Sequence, residues 1–137
     1  MIVGIGADLL HLPRLRSLLT RRTPQQFASR ILSKEELREW KERQNGWNTK
    51  QMESYLALRW TAKEAAYKAL YPHVKPTWKD LVVKKLEKKP ILEFSPLFLS
   101  SSTARHSLDS ALDQLKIHLS VSHVGDMMVA YVVVEKG

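Results

Sequence analysis

The sequence predicts an α+β fold in which a mainly antiparallel sheet packs on a long central helix, within one domain spanning residues 1–137. Strand-like apolar runs stand at both ends of the chain, and helical patterns fill most of the middle. Consecutive strand-like runs are separated by short turns, which favours antiparallel pairing. With 44% apolar and 26% charged residues, a chain of 137 residues can bury one core.

The chain opens with a predicted strand over residues 1–5, an apolar run interrupted only by Gly4. Gly6 follows, and a glycine there lets the backbone turn or approach another group closely. This reading places Asp8 just past the end of the strand.

Three short helices are predicted next. Pro13 suits the first turn of a leucine-rich helix, and residues 23–24, a Thr-Pro pair, begin a second. Ser33 followed three residues later by Glu36 is a capping-box pattern, which predicts a third helix over residues 34–43.

The strongest helical signal covers residues 50–70 and ends before Pro72. A helix of this length spans roughly 30 Å and is the predicted scaffold of the domain. Small residues recur along it at helical spacing, which predicts close packing against the sheet. They are Ala62, Ala65, Ala66 and Ala69.

The second half predicts a hairpin of strands 81–86 and 91–94, then a helix beginning at Ser102 or Thr103, then two further strands. That helix carries Leu108, Ala111, Leu112 and Leu115. Residues 117–121 alternate as a strand, and residues 127–134 are so apolar that we expect burial on both faces, at the sheet centre or a subunit contact.

The net charge of +8 favours an anionic partner. Every charge over residues 9–34 is positive, and a second basic cluster is either solvated surface or a patch that meets the first in space. This cluster comprises Lys84, Lys85, Lys88 and Lys89. No apolar run is long enough to span a membrane, and the lack of cysteine excludes disulfides and thiolate chemistry.

Several residues could have either a role in catalysis or binding or a purely structural role. Asp8 is a metal ligand or a residue at a helix start, and Glu64 with Lys68 is a reactive pair or a helix-face ion pair. Cations beside the alanine-rich face, among them Arg59, suit a phosphate-binding site. His123, before a glycine turn, is typical of a structural histidine as well as of a site residue.

Taken together and in this order, these residues resemble a known family. The segments are GIGADLLHLPRL at 4–15, FASRILSKEEL at 27–37, YLALRWTAKEAAYKAL at 55–70, KKP at 88–90 and LSVSH at 119–123. The chain resembles the holo-acyl-carrier-protein synthases, the small trimeric 4′-phosphopantetheinyl transferases. The resemblance covers nearly the whole chain.

The resemblance implies a Mg²⁺-dependent transfer of 4′-phosphopantetheine from coenzyme A to a serine of apo acyl carrier protein, releasing adenosine 3′,5′-bisphosphate. Asp8 and Glu64 match the carboxylates that hold the metal ion in the family. Asp8, Glu64 and Lys68 match its catalytic residues, with Lys68 beside the diphosphate. Mg²⁺ prefers such oxygen ligands. The base that takes the serine proton stays open. The implied coenzyme A contacts are Arg59, Lys63, Lys68, Lys89, Pro90, Ser122 and His123.

The same resemblance implies a homotrimer with active sites at subunit interfaces and an acidic carrier protein as partner. The docking residues would be Arg14, Arg21, Arg22 and Arg30. Two positions depart from the family pattern. Lys88 stands in a turn where the family usually has a glycine before its basic residue and proline, and Tyr67 replaces a smaller residue beside Lys68.

Two other functions compete with this interpretation. A non-catalytic relative would bind coenzyme A or a carrier protein only. A basic nucleic-acid-binding module would use the positive charge and the aromatic residues, but carboxylates at Asp8 and Glu64 would repel phosphates unless a metal intervened. We expect no nucleic acid and no membrane span. A cytoplasmic location is expected, with the mitochondrial matrix as the alternative because residues 9–34 are rich in arginine.

Overall fold

The structure, a computed structural model, describes residues 1–100 and 114–137, which form five strands and five α-helices. In chain order these are β1 (Ile2–His11), α1 (Leu12–Arg21), α2 (Pro24–Ile31), α3 (Lys34–Arg43), α4 (Thr49–Leu70), β2 (Leu81–Leu86), β3 (Lys89–Phe94), α5 (Pro96–Ser100), β4 (Leu115–Val124) and β5 (Met127–Lys136). The predicted α+β class is confirmed.

All strand pairs in the described residues are antiparallel, and they form two sheets. The larger sheet has the order β1-β5-β4, so the last strand lies between its two neighbours. The smaller sheet is the predicted β2–β3 hairpin. Helix α4 packs across β1 and β5 and is the central element of the domain.

Two glycines of β1 allow this strand to lie directly on α4. A Cβ atom added at Gly4 would overlap the carbonyl of Ala69, and one added at Gly6 would overlap the carbonyl of Ala65. Ala65 and Ala69 are themselves fully buried, and a larger side chain at either position would lift the strand away. The close approach predicted for Gly6 is confirmed, as is the packing role of the alanines.

Capping residues define where the helices begin. Thr23, Ser33 and Asn48 each accept a hydrogen bond from a backbone N–H of the first turn, and each receives the reciprocal side-chain contact of a capping box. The predicted range 34–43 therefore matches α3, and α4 begins one residue before its predicted start.

The first strand is longer than predicted, which corrects the position of Asp8. β1 continues to His11, and Asp8 lies within the strand opposite Ala130 of β5. Glycine and aspartate are poor strand formers, but continuous pairing with a ten-residue partner overrides that preference.

The C-terminal elements confirm one prediction and correct another. The predicted position of residues 127–134 at the sheet centre is confirmed, since β5 lies between β1 and β4. Burial in the single chain alternates along β5, with Met128, Ala130, Val132 and Val134 buried, because only one face of this sheet meets α4. Leu115 begins β4 instead of ending a helix. The rest of that predicted helix lies outside the described residues.

A buried carboxylate joins three parts of the fold. Glu36 of α3 accepts hydrogen bonds from the backbone N–H of Ser33 and of Val83 in β2, each at 2.8 Å. It also accepts from the Lys63 ammonium of α4, and its second oxygen lies 3.7 Å from Arg59 Nε. Helices α3 and α4 and the hairpin are thus fixed to one another by a single side chain.

The Lys63 ammonium is buried and fully hydrogen-bonded. Besides Glu36 it donates to the carbonyls of Ile31 at 2.8 Å and Trp78 at 3.0 Å. Burial lowers the pKa of this ammonium, and the neighbouring Glu36 carboxylate opposes that shift.

We predict that Glu36→Gln lowers the free energy of unfolding by about 3–5 kcal/mol at pH 7, because it leaves the Lys63 ammonium buried without its counter-ion. The pKa of Lys63 in the folded variant should fall further below its ordinary value of 10.5. Between those two pKa values the unfolded chain binds more protons, so stability should rise with pH. Urea denaturation at pH 7 and pH 9 measures both effects.

The control for this prediction is Glu42→Gln, which removes an exposed carboxylate of the same helix and should leave stability within about 0.5 kcal/mol. Adding Lys63→Met to Glu36→Gln should recover part of the loss. Equal stability of the Glu36 and Glu42 variants, or no steeper pH dependence in the Glu36 variant, would contradict the counter-ion role.

Candidate active site

Asp8 and Lys68 meet where β1 crosses the C-terminal half of α4. Lys68 Nζ donates to Asp8 Oδ1 at 3.2 Å and to the carbonyl of Ala7 at 3.0 Å. Glu64 lies one helical turn before Lys68 on the same face of α4 and is half-buried. The fold therefore brings the three predicted catalytic residues to one side of α4.

The donor set at this position suits a hard divalent cation. The Asp8 side chain keeps about a fifth of its surface accessible, and Lys68 is its only ion-pair partner within the described residues. No cluster of three or more histidine, cysteine or acidic residues occurs in residues 1–100 and 114–137. Two carboxylates with open coordination positions are the arrangement that Mg²⁺ uses when substrate phosphates complete the shell.

A second candidate site is an open cleft of about 1100 Å³ between α3, α4, the hairpin and the end of β4. Predicted ligand contacts Arg59, Pro90 and His123 line it together. Lysines of the second basic cluster also line it, whereas none of the basic residues between 9 and 34 does. The lysines are Lys84, Lys85 and Lys88.

Arg59 forms the floor of this cleft. Its guanidinium carbon lies 3.5 Å from the ring centroid of Tyr55, and its Nη1 donates to the Tyr55 carbonyl at 3.3 Å. The side chain is about 6% exposed, and its Nε has no hydrogen-bond partner among the described residues. A buried cation with an unused donor is suited to an anion that enters the cleft.

The turn between β2 and β3 places lysine side chains at the cleft, and two of its residues adopt an unfavourable backbone conformation. Glu87 and Lys88 have φ values of 49° and 74°, the left-handed region that favours glycine. Lys88 thus occupies the backbone conformation for which the family pattern supplies glycine. The altered turn keeps the hairpin register, since Leu86 pairs with Lys89.

Three predicted ligand contacts are placed differently. Lys63 is buried with its donors engaged inside the fold, and it lines a small pocket beside Glu64 instead of the cleft. Ser122 points away from the cleft because neighbouring strand residues alternate between faces, and His123 takes the cleft side. Lys89 is exposed but does not line the cleft.

Sequence reasoning missed the α3 side of the cleft. Glu39 lies 3.9 Å from Arg59 Nη2 and 3.7 Å from Arg43 Nη1, and both Glu39 and Arg43 line the cleft. The i, i+4 spacing of Glu39 and Arg43 was visible in the sequence, but it is typical of any exposed helix face. Only the crossing of α3 and α4 brings Glu39 to Arg59.

Tyr67 stands beside Glu64 in a smaller pocket of about 250 Å³. Its other walls include Trp78 and Leu81. Tyr67 is partly exposed and stacks on Tyr71, with ring centroids 5.9 Å apart. The larger residue at this position therefore narrows the approach to Glu64 without entering the core.

The predicted docking arginines are all exposed. They are Arg14 and Arg21 of α1, Arg22 after it, and Arg30 of α2. Arg14 lies over the Trp60 ring at 5.5 Å from its centroid. Arg16, by contrast, ties α1 to the body of the protein through Glu53 at 2.9 Å and Asp126 at 3.5 Å.

The outer face of the larger sheet is apolar along β1 and β5 and uncovered in a single chain. Ile5, Leu9 and Tyr131 expose 67%, 62% and 53% of their surface there. Val129 and Val133 lie between them in the pairing register and are partly exposed. In the described part of the chain, no helix has the length and apolarity needed to cross a bilayer.

Comparisons with known proteins agree with this arrangement. A holo-[acyl-carrier-protein] synthase of Hydrogenovibrio crunogenus is 35% identical over 138 residues, covering 98% of both chains. The crystal structure of holo-[acyl-carrier-protein] synthase from Neisseria meningitidis superposes with a TM-score of 0.75 at 31% identity, covering 99% of this chain and all of that one.

A holo-(acyl-carrier-protein) synthase of Bacillus anthracis, solved in complex with CoA (3′,5′-ADP), gives a TM-score of 0.72 at 30% identity and covers 100% of this chain and 99% of that chain. The sequence profile of the 4′-phosphopantetheinyl transferase superfamily matches residues 4–126, which include Asp8, Glu64, Lys68 and His123. By this match and by its fold, the chain belongs to the 4′-phosphopantetheinyl transferase superfamily.

Proposed function

We propose that this protein is a holo-[acyl-carrier-protein] synthase that uses Asp8, Glu64 and Lys68 to transfer 4′-phosphopantetheine from coenzyme A to apo acyl carrier protein. The relatives named holo-[acyl-carrier-protein] synthase support this activity. The observation that carries the site assignment is the contact of Lys68 with Asp8 one helical turn from Glu64.

In the reaction, the serine oxygen of the carrier protein bonds to the phosphorus that bears pantetheine. The bond from that phosphorus to the bridging oxygen of the diphosphate breaks, and adenosine 3′,5′-bisphosphate leaves as the serine gives up its proton. Negative charge therefore grows on the departing phosphate. Half-exposed Lys68 can place its ammonium beside that charge while Asp8 and the Ala7 carbonyl hold it in position.

Asp8 and Glu64 are the residues that would hold Mg²⁺. When bound there, the ion would neutralise phosphate charge and orient the reacting groups. Their partial exposure gives such a site access to solvent and substrate.

The cleft floored by Arg59 would take the adenosine bisphosphate end of coenzyme A. Its cations, Arg59, Lys85 and Lys88, complement phosphate, and the proline and aliphatic walls suit a base and ribose. We propose that Arg59, Pro90 and His123 contact this end of coenzyme A. Lys63 supports the wall from inside instead of touching the ligand.

We propose a homotrimer whose apolar outer sheet faces, containing Ile5, Leu9 and Tyr131, pack against one another. Exposed apolar surface of this kind marks an association site. The active sites would then be shared between neighbouring subunits, with the Asp8 side and the Arg59 cleft contributed by different copies. The cytoplasmic location, with the mitochondrial matrix as the alternative, stays a prediction.

The activity is tested by incubating the protein with apo acyl carrier protein, coenzyme A and Mg²⁺. Intact-mass spectrometry of the carrier protein should show the addition of one phosphopantetheine group. Asp8→Asn and Glu64→Gln should each lower kcat/KM about 100-fold or more, because each removes a charge that organises the phosphoryl transfer. Chelation of Mg²⁺ with EDTA should abolish the mass gain.

Glu42→Gln, which removes an exposed carboxylate of α3, is the matched control and should retain full activity. A folded wild-type protein that modifies no carrier protein would contradict the activity. Full activity of both Asp8 and Glu64 variants would contradict the metal assignment alone.

For carrier-protein docking, we predict that Arg14→Glu raises the KM for acyl carrier protein about three- to tenfold and leaves the KM for coenzyme A unchanged. The physical reason is that exposed Arg14 attracts an acidic partner, so the effect should shrink at high salt. Arg38→Glu, a reversal at an exposed arginine of α3, is the comparison. Equal changes in both KM values would rule out a docking role for Arg14.

For the assembly, we predict that wild-type protein elutes as a trimer and that Tyr131→Glu shifts it to monomers, because a carboxylate would be buried at the centre of the apolar face. Light scattering after size-exclusion chromatography measures the mass of each species. Leu97→Glu, at an equally exposed leucine of α5, should stay trimeric. A monomeric wild-type protein with full activity would refute the shared site.

A further inference from the structure

Glu39 is one of three carboxylates of α3 that line the cleft, with Glu35 and Glu36. Glu36 is buried and holds Ser33, Lys63 and Val83. The Glu39 side chain keeps 44% of its surface accessible and makes long ion pairs, at 3.9 Å with Arg59 and 3.7 Å with Arg43. Its carboxylate also interacts with the Tyr55 side chain. Such contacts leave the carboxylate free to change partners at little cost.

Arg59 therefore has an internal anion in the place where a ligand phosphate would bind. The Tyr55 ring lies against one face of its guanidinium, and its Nη1 donates to the Tyr55 carbonyl. Its Nε lies 3.7 Å from Glu36. The Nη2 edge facing Glu39 remains for an incoming anion. Two anions at that edge repel each other, so a ligand phosphate and Glu39 would compete for it.

Arg43 offers Glu39 an alternative partner. It lies one turn further along α3, is more exposed than Arg59 and also lines the cleft. A carboxylate displaced from Arg59 can keep its pairing with Arg43, where water screens the charge.

From this geometry we infer that Glu39 competes with a ligand phosphate for Arg59 and thereby sets how tightly the cleft holds its nucleotide. The inference rests on the proposed function, because it takes the phosphate at Arg59 to be the 3′-phosphate of adenosine 3′,5′-bisphosphate. Glu39 acts through Arg59, as a residue that tunes specificity and product release and takes no part in bond breaking.

We predict that Glu39→Gln tightens the binding of adenosine 3′,5′-bisphosphate about two- to fivefold, the range for one partly exposed ion pair. The amide keeps the size of the side chain and removes its charge. Inhibition of turnover by this product should strengthen by the same factor. Damage to the fold would weaken binding instead, so the direction of the change separates the two. Isothermal titration calorimetry measures the dissociation constant.

Three comparisons isolate the contact from general electrostatics. Glu42→Gln makes the same charge change on α3 outside the cleft and should leave affinity unchanged. Adenosine 5′-monophosphate lacks the 3′-phosphate and should bind both proteins equally. In an Arg59→Gln background the gain from Glu39→Gln should vanish, as a double-mutant cycle requires for a coupled pair.

The outcomes separate this inference from the function on which it rests. If wild-type protein binds the bisphosphate and Arg59→Gln weakens it, but Glu39→Gln does not tighten it, Glu39 has no such role. An equal gain from Glu42→Gln would likewise overturn the inference. If wild-type protein binds no bisphosphate at all, the proposed function of the cleft fails first.

Discussion

The buried ion pair of Glu36 with Lys63 is the contact on which the other features of the domain depend. A carboxylate excluded from water is costly unless nearly every acceptor site is filled, and here the filling groups come from α3, α4 and the hairpin. The same carboxylate stands behind Arg59 and therefore behind the cleft floor. Glu64 follows Lys63 directly in the chain, so the pair fixes the helical phase of one proposed metal ligand. Structural order and chemical site are thus set by one interaction.

The two proposed substrate regions have opposite electrostatic characters. The Asp8 side presents two carboxylates and Lys68, which pairs with Asp8, and the Arg59 cleft presents buried and exposed cations beside Glu39. The proposed ligand, coenzyme A, carries a phosphate at the 3′ position of its adenosine and a diphosphate at the 5′ position. The first phosphate needs cationic side chains, and the diphosphate needs a metal cation. The chain supplies the first directly and leaves two carboxylates for the second.

Short sequence patterns predicted most of the helices and strands. They did not predict the contacts between residues far apart in the sequence. The capping box at Ser33 and the alanine spacing of α4 were sufficient because capping and close packing are encoded within a few residues. The length of β1 was underestimated because its pairing partner lies more than 110 residues away. Lys63 was predicted to contact the ligand because it was grouped with Arg59 and Lys68 as a cation on one side of the alanine-lined helix. Its burial depends on α3, which no spacing rule reveals. Glu39 was missed for the same reason.

The pairing of β1 with β5 has a consequence for how the protein reaches its folded state. The strand that carries Asp8 is synthesised more than 110 residues before the strand against which it pairs. Until β5 leaves the ribosome, β1 has neither its hydrogen-bonding ladder nor the full surface of α4, and its apolar residues stay open to other chains. Local helices can form during synthesis, but the sheet is a contact of high sequence separation and must close afterwards. Asp8 is therefore among the last residues to reach its native position. A chain whose synthesis stops before Met127 would form helices but could not assemble the candidate active site.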